Sequence, residues 1–296
     1  MLRLDCRYET CRLRNCFMTS YRFLSATDFI PLYECFLEAF SDYQVDMQMS
    51  REQFEQRIMR DGVRLEFSAG AFDNGKMIGF YMNGRGMWQG KETAYDAGTG
   101  VIPGYRGGGV AKELFAFLVP RLKDIGITQY LLEVLSENER AVALYRKLGF
   151  AETRVLAVFR SNEPVTVVDK LPDVSIRALE EPDWTLFESF WDGYPSWQNS
   201  SRAVERVVER TILGAFAGDK CVGYGVVFRP SGNLMQLAVA REYRRRGIGS
   251  RILAALSPNE ALKVNNIDEN LKGTLAFFEA NKFKIVLKQH EMIKQL

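Results

Sequence analysis

Short apolar runs alternate along the chain with stretches of helical apolar spacing. Residues 70–72 and 78–80 are apolar runs on either side of a turn that contains Asn74 and Gly75. An Asn-Gly pair in this position predicts a β-hairpin, because both central residues of a type I′ turn need positive φ. Residues 111–122 instead show the spacing of an amphipathic helix. The alternation of strands and helices predicts an α/β fold.

Four segments of the pattern recur in the same order. The recurring pairs are Asp28-Phe29 with Asp183-Trp184, the hairpin 70–80 with 214–224, the loop from Arg106 with the loop from Arg244, and Leu148-Gly149-Phe150 with Asn281-Lys282-Phe283. The offset between partners falls steadily from 155 to 133 residues. An ordered set of this kind predicts a duplicated domain whose second copy has lost pieces. The alternative is two unrelated α/β domains with similar turns.

The repeat also sets the predicted domain limits. Residues 18–160 form the first domain and residues 174–296 the second, shortened one. Residues 161–173 carry Pro164, Pro172 and polar side chains, and are the predicted linker. Residues 1–17 fit neither copy and are expected to be a flexible extension.

Composition excludes several classes of chemistry. The 296 residues include 39 basic and 37 acidic side chains, so nothing in the total charge demands nucleic acid or an anionic membrane as partner. His290 is the only histidine, which argues against a Ser-His-Asp triad and against His-rich zinc sites. Cys6, Cys11 and Cys16 lack a nearby fourth ligand, so no metal site is predicted. Without an apolar run of about 18 residues or a signal peptide, a cytoplasmic protein is expected.

Two loops have the character of anion sites. The first carries Gly107, Gly108 and Gly109 between a strand end and a helix. Backbone N–H groups can converge on a phosphate there, because glycine has no Cβ and the helix N-terminus favours negative charge. The second loop begins at Arg244 and carries a cluster of arginines over residues 241–251. A nucleic-acid patch and a simple solvated face are the alternatives for that cluster.

Both loops resemble the Gln/Arg-x-x-Gly-x-Gly/Ala signature of the GNAT N-acetyltransferase superfamily, as Arg106-x-x-Gly109-x-Ala111 and Arg244-x-x-Gly247-x-Gly249. The resemblance is strong over residues 20–160 and weaker over 174–295. It implies two consecutive GNAT-like domains, each a mixed, mostly antiparallel sheet flanked by helices. It also implies acetyl-CoA as acyl donor. The cofactor-binding residues that it implies are Val101, Arg106, Gly107, Gly108, Gly109, Val110, Ala111, Asn138, Arg244, Arg246, Gly247 and Gly249.

A second GNAT signature separates the two copies. The first copy has Asn138 and, seven residues later, Tyr145 before Leu148-Gly149-Phe150. By resemblance, Asn138 binds the pantetheine arm and Tyr145 protonates the departing thiolate, which suits a phenol of pKa ~10. A plain core aromatic is the alternative for Tyr145. The second copy has Phe278 at the tyrosine position, and its Asn270 is one residue out of register, so the first copy is expected to be the catalytic one.

The expected reaction is direct attack of a primary amine of a small molecule or peptide on acetyl-CoA. The resemblance implies that the amide near Val101 stabilises the oxyanion. Asp96 and Glu133 are both candidates for the general base. Acceptor recognition is expected in residues 36–54, where Asp42, Tyr43 and Asp46 are the polar candidates.

Three rival interpretations remain open at this stage. The chain could be a catalytically silent acyl-CoA sensor or interaction protein, the second copy could be the active one, or the arginine cluster could bind nucleic acid. The sequence also leaves the acceptor amine and the oligomeric state open.

Overall fold

The computed structural model describes residues 19–165, 173–257 and 260–296. The predicted extension 1–17, its three cysteines and most of the predicted linker lie outside these residues. Within them, the first copy runs in the order β1 (Ser20–Phe23), α1 (Phe29–Ala39), α2 (Arg51–Asp61), β2 (Ala69–Asp73), β3 (Lys76–Trp88), β4 (Lys91–Val101), α3 (Val110–Asp124), β5 (Gln129–Leu135), α4 (Glu139–Lys147) and β6 (Ala151–Arg160).

The second copy repeats this order, with its first three helices shorter than those of the first copy. Its elements are β7 (Val174–Ala178), α5 (Trp184–Glu188), α6 (Ser201–Arg206), β8 (Arg210–Ala217), β9 (Lys220–Phe228), β10 (Asn233–Val239), α7 (Ile248–Leu256), β11 (Lys263–Asp268), α8 (Lys272–Ala280) and β12 (Lys284–Gln295). The first α-helix has eleven residues in the first copy (α1) and only five in the second (α5). The second copy has therefore lost helical turns while keeping its strands.

Local irregularities recur at equivalent positions of the two copies. The β3–β4 ladder is interrupted by one extra residue, Ala97, and the β9–β10 ladder by Met235. The hairpin strands β3 and β9 are likewise interrupted at Ile78 and Val222. Asn74 and Gly75 have φ of 47° and 82°, which confirms the predicted hairpin turn.

The described strands form one continuous sheet. Its order is β1-β2-β3-β4-β5-β12-β6-β11-β10-β9-β8-β7. The neighbours β4–β5 and β10–β11 are parallel, and the other pairs are antiparallel. This confirms the predicted mixed, mostly antiparallel α/β architecture.

The two copies exchange their last strands at the centre of this sheet. β12, from the second copy, lies between β5 and β6 of the first copy. β6, from the first copy, lies between β12 and β11 of the second. Met292 and Glu291 of β12 are almost fully buried. Each copy therefore depends on the other for a strand in its interior.

Candidate active site

The first copy contains a wedge between two strands that part from each other. β4 pairs with β5 only over residues 93–96 and 129–132, and the strands diverge beyond Asp96. The Ile102 N–H bonds to Ile78 O of β3, whereas the Val101 carbonyl accepts from Arg106 Nε at 2.9 Å. Neighbouring residues of a strand point their backbone groups to opposite sides, so the Val101 N–H lies on the open side of β4.

The glycine loop lies at the wide end of this wedge. Gly107 and Gly109 have φ of 81° and 91°, and α3 begins at Val110. A Cβ placed on Gly108 would meet nothing closer than 3.6 Å, and one on Gly107 nothing closer than 3.8 Å. The loop backbone is therefore open to a close approach by a ligand, which fits the pyrophosphate of acetyl-CoA at the α3 N-terminus.

Arg106 holds the loop from behind. Besides the Val101 carbonyl, its guanidinium donates to both Asp42 carboxylate oxygens at 2.7 and 2.8 Å and to the Ala39 carbonyl at 2.7 Å. The ion pair lowers the pKa of Asp42, chiefly through its hydrogen bond with Arg106. Arg106 thus ties the end of α1 to the end of β4, and its donors point to protein atoms.

Arg140 is a cation near the loop that the sequence analysis did not select. Its Nη2 lies 3.8 Å from the position that a Gly107 Cβ would take, although it stands 33 residues away in the chain. The signature around Asn138 offered no reason to choose it. An exposed guanidinium here can pair with a phosphate.

Arg140→Ala is expected to raise the KM for acetyl-CoA about tenfold, which corresponds to about 1.4 kcal/mol, with a smaller change in kcat. Arg146→Ala, on the same helix but paired with Glu152, is the matched control. Steady-state kinetics with varied acetyl-CoA give both constants. An equal rise in KM for the two variants would contradict a specific role for Arg140.

Tyr145 and Asp96 meet beside the point where β4 and β5 part. Tyr145 Oη donates to Asp96 Oδ2 at 3.3 Å, and the same carboxylate accepts from Thr99 Oγ1 at 2.6 Å and from the Gly98 N–H at 2.9 Å. Burial raises the pKa of Asp96 to about 6 and keeps the pKa of Tyr145 well above its usual value. Tyr145 therefore carries its proton at neutral pH.

Asn138 caps the helix that carries Tyr145. Its Oδ1 accepts from the Ala141 N–H at 3.1 Å, and its Nδ2 donates to Tyr43 Oη at 3.3 Å. Tyr43 thereby reaches across the first copy from the loop after α1. Asp46, on the same loop, is exposed and accepts from the Gln48 N–H.

Glu133 lies on the α2 side of the sheet, apart from Asp96. Its Oε2 accepts from Tyr95 Oη at 3.0 Å and from Asn266 Nδ2, a residue of the second copy, at 2.7 Å. Its Oε1 has no hydrogen-bond partner among the described residues. Burial, followed by repulsion from Glu291, raises the pKa of Glu133 to about 8.

The second copy closes over this region with an aromatic residue. Trp197 stacks on Tyr95 with ring centroids 5.0 Å apart, and its indole N–H donates to the Asp61 carbonyl at the end of α2. Sequence reasoning missed Tyr95, Trp197 and Asn266, because the contacts between the two copies that they make join segments more than 100 residues apart.

The second copy keeps the framework of the site but carries different side chains at three of its positions. Arg244 donates to the Val239 carbonyl, to Asp192 and to the Phe190 carbonyl, as Arg106 does in the first copy. The positions of Asp96, Asn138 and Tyr145 are taken by three apolar side chains. These are Leu234 beside the β10 bulge, Leu271 at the start of α8 and the buried Phe278.

Two further properties of the described part of the chain bear on its chemistry. None of its helices is long and apolar enough to cross a membrane. Its residues also contain no group of three or more side chains placed to hold a metal ion.

Comparison with known proteins agrees with this geometry. Residues 29–150 match the model described as the acetyltransferase (GNAT) family, and residues 208–285 match an acetyltransferase (GNAT) domain. The chain belongs to the GNAT acetyltransferases. It is a tandem-domain member of this family, whose acyl donor is acetyl-CoA.

Relatives of known name match only parts of the chain. Mycothiol acetyltransferase of Paenarthrobacter aurescens is 34% identical over 38% of this chain and 36% of its own. N-alpha-acetyltransferase 30 of Schizosaccharomyces pombe is 32% identical over 33% of this chain and 65% of its own. The chain thus spans from about a third to two thirds of the length of these relatives.

Solved structures match nearly the whole fold. A tandem GNAT protein from the clavulanic acid biosynthesis pathway has a TM-score of 0.70 at 15% identity, over 94% of this chain and 98% of its own. A GCN5-related N-acetyltransferase from Sphaerobacter thermophilus has a TM-score of 0.69 at 13% identity, over 94% and 95%. At these identities the likeness concerns the fold alone.

Proposed function

We propose that the first copy transfers the acetyl group of acetyl-CoA to a primary amine of a small molecule or peptide. Tyr145 is the general acid and Glu133 the general base. The observation that carries this assignment is the placement of the two groups on opposite faces of the sheet, beside the point where β4 and β5 part. The protonated phenol can then donate a proton to the leaving sulfur on one side of a thioester, and the carboxylate can accept the proton of the amine on the other side.

Glu133 is favoured over Asp96 as the base because of how each carboxylate is bonded. Asp96 accepts three hydrogen bonds, one of them from Tyr145, so it serves to orient the acid. Glu133 keeps Oε1 free of partners among the described residues, and this oxygen can accept the proton of the amine. The pKa of Glu133, about 8, also makes its carboxylate a stronger base than that of Asp96, whose pKa is about 6.

The donor is held by groups of the first copy. The amides of residues 107–111 and the Arg140 guanidinium receive the pyrophosphate, and Asn138 with the open edge of β4 receives the pantetheine arm. The Val101 N–H is the candidate donor to the carbonyl oxygen of the thioester as charge develops on it. When bound, acetyl-CoA supplies the acyl group, and the CoA thiolate leaves with the proton of Tyr145.

An acceptor panel tests the proposed activity. Release of free CoA is measured with a thiol reagent for a peptide with a free N-terminus, the same peptide N-acetylated, and a set of small primary amines. We expect turnover only where a free amine is present, with a mass increase of one acetyl group in the product. Binding of acetyl-CoA without turnover of any amine would favour the silent sensor instead.

The raised pKa of Glu133 predicts a pH dependence. Transfer requires the carboxylate form, so kcat/KM should rise with pH through a midpoint near 8. Glu133→Gln should lower kcat/KM about 100-fold and remove this rising limb. Any limb that persists in Glu133→Gln belongs to the acceptor amine, whose own pKa is ~8 for an α-amine. Identical profiles in the two proteins would reject Glu133 as the base.

A further inference from the structure

A large cavity occupies the second copy between the diverging strands β10 and β11. It has a volume of about 640 Å³ and runs from the turn at Gly247 to Asn199 and Asn266 at its inner end. Its walls are largely apolar and include Leu237 and Phe277. We name this cavity the second cleft. A volume of this size is typical of sites for small ligands and cofactors.

The loop 244–249 at the mouth of the second cleft carries a cation of its own, whereas the cation near the loop of the first copy comes from α4. Arg245 stands where the first copy has Gly107, and it adopts φ of 61°, a conformation that glycine takes more readily. Gly273 in turn stands where the first copy has Arg140. The guanidinium near the loop is therefore supplied by helix α4 in the first copy and by the loop itself in the second copy.

Two further exchanges make this loop more positive. Arg246 and Arg251 replace Gly108 and Glu113 of the first copy. An acidic position has become basic at the start of α7. Phosphates are the groups that such a set of arginines recognises, together with the helix N-terminus.

At the inner end of the second cleft, one buried hydrogen-bond acceptor of the protein has no donor among the described residues. Asn199 is 3% exposed, and its Oδ1 has no hydrogen-bond partner among the described residues. Its Nδ2 is already committed to the Asn265 carbonyl at 2.6 Å. A buried acceptor left unpaired is unfavourable, and an amide N–H of a pantetheine arm is a group that can pair with it.

Asn266 connects this inner end to the first copy. It lines the second cleft and holds φ of 60° within β11. Its Nδ2 donates to Glu133 Oε2 at 2.7 Å, and its Oδ1 accepts from Gln289 at 2.8 Å. One side chain therefore touches both the cavity and the carboxylate of the first copy.

We propose that the second cleft is a regulatory site for a CoA-class ligand, which acts on the first copy by drawing the Asn266 amide away from Glu133. The ligand class is a pantetheine arm with a phosphorylated end. With Leu234, Leu271 and Phe278 at the positions of the catalytic groups, such a ligand keeps its acyl group. The effect on reaction rate and the retention of the acyl group rest on the proposed function of the first copy; binding and the link through Asn266 do not.

Breaking the hydrogen bond between Asn266 and Glu133 should change the protonation of Glu133. The other groups that face Glu133 are Glu291 from β12, Arg154 from β6, Tyr95 from β4, and Arg57, Arg60 and Asp61 from α2. Loss of the Asn266 donor removes a hydrogen bond to the charged carboxylate, so the pKa of Glu133 rises further. Binding in the second cleft should then be accompanied by uptake of a fraction of a proton near pH 8.

Calorimetric titration of the full chain with CoA tests the site itself. Ala276 lines the second cleft on an exposed face of α8, and Ala143 is its equivalent on α4. We expect two molecules of CoA per chain in the unaltered protein and one in each of Ala143→Trp and Ala276→Trp. If Ala276→Trp binds as much CoA as the unaltered protein, the proposal is overturned.

The link is tested without any acetyl transfer, in the Ala143→Trp protein. Titrations at pH 8 in two buffers of different ionisation enthalpy give the number of protons taken up with CoA. We expect uptake that is lost on adding Asn266→Gly, which keeps the positive φ, and retained on adding Asn265→Gly, the neighbouring control. Equal uptake in all three proteins would show that Asn266 transmits nothing, whatever the acetyl-transfer assays give.

Discussion

Tyr145→Phe is expected to lower kcat for acetyl transfer by about 100-fold or more, the scale of a lost general acid. Affinity for acetyl-CoA should stay close to that of the unaltered protein, because the loop amides, Arg140 and Asn138 are untouched. The substitution keeps the ring that packs against Phe150 and removes only the hydroxyl that donates to Asp96. Rapid-mixing kinetics and calorimetric binding of acetyl-CoA separate the two effects.

Tyr81→Phe is the matched control for this experiment. Tyr81 is a neighbouring tyrosine that is buried even more completely than Tyr145, and its hydroxyl makes no hydrogen bond with Tyr145 or Asp96. Its loss should change kcat by less than about twofold, since no bond to the reacting groups is removed. An unchanged kcat in Tyr145→Phe would remove Tyr145 from the mechanism and leave it a core aromatic.

Neither copy is expected to fold by itself. A chain that ends after Phe283 lacks β12, which pairs with β5 from Gln289 to Gln295 and with β6 along its other edge. Its removal leaves two interior strands with unpaired edges and opens the core around Met292, and exposed edges of this kind lead to aggregation. We expect such a chain to be insoluble or to lack a cooperative thermal transition.

A cut in a different place separates this effect from simple chain breakage. Residues 1–165 and 166–296 produced together as two chains retain both exchanged strands. We expect them to assemble into one folded, acetyl-CoA-binding complex, whereas each alone should be insoluble. Light scattering and thermal unfolding report both outcomes. A soluble, monomeric 1–165 fragment with a sharp transition would contradict the exchange.

The sequence was most informative where function depends on local chain order. The glycine loop, the helix after it, and the spacing of Asn138 and Tyr145 are short-range patterns, so the fold class, the repeat and the acyl donor could be predicted from them. The Asn74-Gly75 hairpin was predictable for the same reason. Each of these features is determined by residues that are close together along the chain.

The pairing of strands and side chains that lie far apart along the chain could not be predicted from the sequence. β6 and β12 each follow the last helix of their own copy, and neither sequence indicates that the strand pairs with strands of both copies. Arg106 matched the signature, but its bonds to Asp42 and Ala39 depend on a helix more than 60 residues away. The choice between Asp96 and Glu133 also depended on knowing the bonds that each carboxylate makes.

The exchange of β6 and β12 bears on how such a chain can evolve. A duplicated domain that has lost its catalytic groups could ordinarily be deleted without loss of the activity next to it. Here deletion would remove a strand from the interior of the first copy, so selection on the proposed active site of that copy also preserves the scaffold of the second. With the proposed catalysis assigned to the first copy, the cleft of the second can diversify in ligand preference while the strands around it stay fixed.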